Sequence, residues 1–308
     1  MKKIFWNYSE KRLKSGWRII VFLIGFVLVM ALATLVQKAL GKNIVSSLVG
    51  LLSFVLLTIG VLWLAGRYID HRAFKDFGFN INKKWWKDFV FGIVLSALLF
   101  SVVFLVEKAL GWVTIIEFFQ NEKDMYKNIP FVFTLIVGLL AFATIILWEE
   151  ILCRGYLMKN LSEGFNNRRF GVKGAVVLAF LLSSIFYGLV HSNNPNITLI
   201  GVVNLVILGI FFGLPYLLTG ELAIPIALHF SWNFFQGLIF GFPVSGQLDK
   251  VAVFAVGQSG PELWTGGAFG PEGGLIGVFA MIAGCAIIIL WIKVSRGSIS
   301  LHTLLAEY

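Results

Sequence analysis

Seven stretches of this chain, 19–37, 43–66, 89–106, 128–148, 174–220, 222–248 and 273–292, run without a Lys, Arg, Asp or Glu. Each is on the order of the roughly 20 apolar residues that a helix needs to cross a bilayer. Inside lipid every backbone N–H and C=O must find its partner within the segment or in a closed barrel, so such runs read as helices. The fifth run is too long for one crossing, and Ser192-Asn193-Asn194-Pro195-Asn196 interrupts it as a turn would. The spans then number eight, and the predicted fold is an all-α, polytopic membrane helix bundle of about eight transmembrane helices. Composition agrees: the 308 residues are 58% hydrophobic and 13% charged, about half the charged share of an ordinary soluble domain. The first run, Ile19 to Gln37, is too long for a signal-peptide core and lacks a small-residue cleavage site after it. It reads as a retained span.

The net charge of +9 would suit a nucleic-acid binder only if it formed one patch. The basic residues instead flank the apolar runs, so the lipid bilayer is the expected partner and nucleic acid is not. Connections 1–18, 67–88, 154–173 and 293–308 hold 19 Lys and Arg, and the alternate connections 38–42, 107–127 and 249–272 hold 6. That bias predicts cytoplasmic N- and C-termini. Residues 68–88, with Phe74, Phe77, Phe79, Trp85 and Trp86 among basic residues, read as an interfacial segment with aromatic anchors. The Gly- and Pro-rich stretch 241–273 reads either as a cap over a cavity or as a plain connector. Cys153 and Cys285 lie far apart in apolar runs and support neither a disulfide framework nor a CxxC metal site.

Ionisable residues inside such spans are costly and mark function by default. Glu149 and Glu150 end the fourth run, and Arg154 follows Glu150 at i+4, on the same helix face. Glu149 is turned about 100° away, so one carboxylate is neutralised by its own helix and the other is left over. The alternative is an ion pair where the helix leaves the membrane. His229, Asn233 and Gln236 form one stripe at i, i+4 and i+7; their plain reading is interhelical hydrogen bonding. His191 closes the fifth span one turn after Tyr187. Taken together, Glu149 as general base, the two histidines as orienters and Asn233 as an oxyanion donor make a hydrolytic set. Glu149, His191 and His229 also match a catalytic zinc or other divalent-metal ligand set with an open position. The sequence leaves both open.

The same residues resemble a known family. Glu-Glu-x-x-x-Arg (Glu149, Glu150, Arg154), aromatic-x-x-x-His (Tyr187, His191) and His-x-x-x-Asn (His229, Asn233) look like the CPBP family of CAAX-protease and bacteriocin-processing intramembrane proteases, also called Abi or Rce1-like. The run Gly220 to His229 is similar to that family's approach to its last motif. The resemblance implies an endopeptidase, often labelled a metalloprotease, acting on membrane-associated peptides or proteins, prenylated or not, in the plasma membrane of a bacterial cell. It implies that Glu149 activates water with His191, that His229 and Asn233 hold the oxyanion, and that Glu150 and Arg154 support the site. Tyr187 stands where the family usually has Phe.

The expected organisation is one integral membrane domain, 1–308, made of a three-span part (1–128), a catalytic core (129–240) and a loop with the last span (241–308). The rival class is a non-catalytic membrane protein, either a bacteriocin self-immunity or partner-binding factor or a proton-coupled transporter. No internal repeat of the kind common in transporters is evident. Gly257-Gln258-Ser259-Gly260 matches a GxSG protease pattern but sits in a loop and is set aside. One geometric demand remains. From Lys173, His191 lies about 27 Å along its helix, whereas His229 is only about 12 Å beyond Glu221. Convergence requires the fifth helix to tilt strongly or to start above an interfacial segment at 166–176.

Overall fold

The computed structural model describes residues 2–41, 44–122 and 128–308. Lys42, Lys123 and Lys127, which entered the charge count, lie outside the described residues. Among the described residues, seven helices are long and apolar enough to cross a membrane. They are α1 (Ser15–Leu40), α2 (Ile44–Asp70), α3 (Lys83–Ala109), α4 (Phe131–Phe165), α5 (Gly171–Val190), α6 (Leu199–Thr219) and, after one shorter helix, α8 (Leu275–Arg296). The chain is an integral, multi-pass membrane protein.

The predicted span 222–248 differs from its expectation. It forms α7, an 11-residue α-helix Ala223–Asn233 continued by a six-residue π-helical turn, Phe234–Ile239, and there the helix stops. A segment this short can sit in a membrane only when other helices surround it, and Ala227, Leu228 and Trp232 are fully buried. α3, α4 and α6 pack directly against this short helix. The turn at 192–196 divides α5 from α6 as expected, and the Thr198 hydroxyl caps the N-terminus of α6.

Small residues let the helices around α7 approach closely, as is usual where lipid supplies no hydrophobic drive between helices. A Cβ on Gly92 of α3 would stand 2.8 Å from Ala227, and one on Gly209 of α6 would stand 2.8 Å from the Ser184 carbonyl. The Phe74–Phe77 turn is more than an interfacial anchor. Phe77 is fully buried, stacked on Tyr156, while Trp86 stays exposed.

At the end of the bundle away from the termini lies a feature absent from the all-α expectation. Strand β1 (Val113–Asn121) pairs antiparallel with β2 (Val251–Gln258). This ribbon organises 241–273 into a cap. Asn194 and Asn196 donate to the carbonyls of Ser245 and Gly246, and Asn204 donates to Gly273. Both cysteines are free.

Candidate active site

Three helices change character where the polar residues lie. In α4 the backbone opens into π-helical turns over Ile151–Met158, directly after Glu149 and Glu150, and α7 does the same directly after Asn233. Such turns are rare and recur at functional sites. α5 ends at His191, whose imidazole Nδ1 lies 2.8 Å from the Tyr187 carbonyl. A carbonyl only accepts, so Nδ1 carries the hydrogen and Nε2 is left facing inward.

Glu150 and Arg154 form the expected i,i+4 pair at 2.9 Å, but deep inside the protein rather than at a membrane exit, with both side chains buried. Arg154 also donates to the Gly209 carbonyl on α6. The Glu150 oxygen that receives Arg154 receives a second partner that spacing did not reveal, Nδ1 of His229 at 2.8 Å. Next to a carboxylate Nδ1 is the protonated nitrogen, so His229 too presents Nε2. Phe212 stacks on the ring at 4.3 Å and fixes its plane.

Among the described residues, Glu149 is left without a direct partner. Its two oxygens lie 3.9 Å from Nε2 of His191 and 3.8 Å from Nε2 of His229, beyond hydrogen-bond reach. It faces a cavity of about 470 Å3, whose walls include Trp148, Tyr187, His191, His229 and Asn233 and whose cap side is formed by Val244, Ser245 and Gln247–Asp249. The stretch 241–273 thus caps the cavity. A second cavity of about 490 Å3, between α1, α2 and α4, shares Ile145, Trp148 and Asp249 with it.

All six residues singled out by sequence, Glu149, Glu150, Arg154, His191, His229 and Asn233, lie in or directly behind this one site. Gln236 does not; it turns to the Pro243 carbonyl. The depth conflict is met where α7 starts. Leu222 lies against Gly155, since a Cβ there would stand 3.3 Å from it, and α4 continues past Gly155 to Phe165. The C-terminal tail fills the step beneath, its His302 ring packed on Gly220.

Two further side chains contribute, by contacts that sequence spacing does not show. The hydroxyl of Tyr187 lies 3.3 Å from Nε2 of His229. Glu272 sits in the cap, fully buried, accepting from both the N–H and the hydroxyl of Ser245. Burial raises its carboxyl above the usual range, while the Ser245 bonds and His191 oppose that rise. A Pro-Glu-Gly-Gly loop offers no periodicity from which this could be read.

The zinc option does not fit. Bonds of about 2.0–2.2 Å in a tetrahedron place ligand atoms about 3.3–3.6 Å apart, shorter than the 3.9 and 3.8 Å separations at Glu149. Among the described residues, no group of three His, Cys, Asp or Glu is placed to hold an ion. What converges instead is a set of acceptors: a carboxylate and two imidazole Nε2 atoms. The Tyr187 hydroxyl faces the Nε2 of His229, and a water 2.8 Å from both Glu149 and His191 would see them at about 90°, an angle its hydrogens accommodate.

Residues 128–235, which contain all six of these side chains, match the family model described as type II CAAX prenyl endopeptidase Rce1-like. Over these residues the chain is similar to an Rce1-like domain. This CAAX-protease family is one of peptidases. The match spans about a third of the chain. No curated protein and no solved structure matches it.

Proposed function

We propose that this chain is an intramembrane endopeptidase that hydrolyses peptide bonds of membrane-associated substrates with water activated by Glu149. The observation that carries the reading is the unpaired Glu149 carboxylate between two histidines whose Nδ1 atoms are both fixed by other partners. Water held by Glu149 and His191 loses a proton to Glu149 as its oxygen bonds to the substrate carbonyl carbon. The Asn233 amide donates to the resulting oxyanion, beside His229, whose ring Glu150 holds through Nδ1. When the C–N bond breaks, the proton on Glu149 passes to the leaving nitrogen, giving an amine and a carboxylic acid, which then ionises to water. Glu150 and Arg154 orient His229 without touching substrate.

The family match supports a prenylated peptide as one substrate class, and the resemblance supports a bacterial plasma membrane as the location. The apolar cavity beside Trp148 has room for a lipid chain or for part of an apolar helix. The test is cleavage of two membrane-tethered peptides, one farnesylated and one not, by the purified chain and by Glu149→Gln. Cleavage that persists in the variant removes this mechanism. Binding without cleavage by the native chain would favour the partner-binding class.

A further inference from the structure

Donors are scarce in this cavity. Glu149 and the Nε2 atoms of His191 and His229 accept. Asn194 spends an amide hydrogen on the Ser245 carbonyl, and the Ser245 hydroxyl donates to Glu272. An oxyanion forming above Glu149 needs donors aimed at it. His229 supplies none while neutral, because its one hydrogen is held on Nδ1 by Glu150. The other side-chain donors lining the cavity are the Trp148 indole, the Gln247 and Asn233 amides and the Tyr187 hydroxyl; of these the Tyr187 hydroxyl lies 3.3 Å from Nε2 of His229, and Asn233 follows His229 by one helical turn.

Tyr187 is placed for this. Its ring is buried, with the Arg154 guanidinium 4.8 Å above it and Phe212 against its edge. The backbone carbonyl of the same residue fixes His191. Its hydroxyl must donate to His229 Nε2, since that nitrogen has no hydrogen to give. At 3.3 Å this is a long bond, at the weak end of the range, and rotation about the C–O bond releases it cheaply.

We infer that the Tyr187 hydroxyl is an oxyanion donor of this site, resting on His229 Nε2 and turning to the substrate oxygen as the tetrahedral intermediate forms. The inference rests on the protease reading above. It makes the site a two-donor one, Asn233 and Tyr187, and it gives the hydroxyl a chemical role that a phenylalanine ring could not fill.

The test compares the native chain, Tyr187→Phe and Glu149→Gln in lipid nanodiscs, on the farnesylated and unmodified peptides. Tyr187→Phe keeps the ring and its packing. The expected result is a fall in kcat of about 100-fold, the scale of losing one oxyanion donor, with KM unchanged. Ground-state binding is read separately, from the affinity of the Glu149→Gln, Tyr187→Phe double variant for the same peptides, which should equal that of Glu149→Gln alone. A native kcat in Tyr187→Phe, with Glu149→Gln inactive, overturns the inference and leaves the protease reading standing. A loss confined to KM, or weaker binding by the double variant, also overturns it, because the hydroxyl would then serve packing. Cleavage that survives Glu149→Gln, or a native chain that cleaves neither peptide, overturns the protease reading and this inference with it.

Discussion

Two clusters of charge are buried in this bundle, and they are built on opposite plans. At the end carrying both termini, Glu163 receives Arg12, Arg18 and Arg72, while Asp70 receives Arg18 and the Tyr156 hydroxyl. The C-terminal Tyr308 ring lies 3.5 Å under the Arg12 guanidinium, and Arg72 donates to the Glu307 carbonyl. Both carboxylates there have direct cationic partners. This clasp ties the N-terminal arm, the end of α2, α4 and the tail together. In the other cluster Glu150 is similarly held by Arg154 and His229, yet among the described residues its neighbour Glu149 has nothing within bonding distance and faces a cavity. Buried charge is costly unless paired. The closed cluster therefore reads as architecture, and the open carboxylate as chemistry.

The sharpest way to break this contrast is to neutralise one carboxylate in each cluster. Glu149→Gln should lower kcat by about 100- to 10,000-fold, the worth of a general base, and leave the melting temperature of the nanodisc-embedded protein nearly unchanged. Glu163→Gln should do the reverse. It leaves three arginines short of a buried anion, a loss of about 3–5 kcal/mol of stability, with kcat per folded molecule preserved. Thermal unfolding and active-site-normalised kinetics on both variants decide the matter. If Glu163→Gln loses activity without losing stability, the clasp is part of the machinery and the division fails.

Glu150→Gln probes the boundary, because that residue belongs to both plans. It should lower kcat by about 10- to 100-fold, as does loss of a group that orients a histidine, and should also lower the melting temperature because Arg154 is left buried without its anion. A variant that changes one readout and not the other would assign Glu150 wholly to chemistry or wholly to architecture.

Much of the scaffold was legible because its causes are local. Charge-free runs mark the long helices, and the Ser-Asn-Asn-Pro-Asn break divides α5 from α6. The i,i+4 rule found Glu150 with Arg154. Contacts between distant segments escaped. The Glu150–His229 bond joins residues 79 positions apart, and the β1–β2 ribbon pairs Val113 with Gln258, in loops far apart in the chain. The span at 222–248 was overextended because apolar composition cannot distinguish a helix facing lipid from one enclosed by other helices. The π-helical turns after Glu150 and Asn233 have no composition of their own. Glu272 was invisible for the plainest reason: an acid in a glycine-rich loop looks solvated until the cap folds over it.

The smallest effect concerns the step that sets the depth of α7. Glu221 lies in the turn before that helix, accepting from the Asn80 N–H, in a polar pocket with Lys84, Asp88, Arg296 and His302. Burial raises its carboxyl to about 7, opposed by the Asn80 bond and Arg296, while Asp88 adds to the rise. An acid whose folded-state value lies above its unfolded value holds its proton more tightly when folded, so stability falls as pH rises. The full contribution is present below about 4.5, is lost progressively between there and about 7, and does not change further above that. The native melting temperature should therefore decline slightly from pH 5 to pH 8, and Glu221→Gln, which cannot ionise, should flatten that part of the profile. Glu221 touches the clasp and the site only through the position of α7, so kcat of the variant at pH 7 should stay close to native. A flattened profile together with a large loss of kcat would show that the turn at 219–222 governs how His229 meets Glu149, and would move the boundary between architecture and chemistry down to the start of α7.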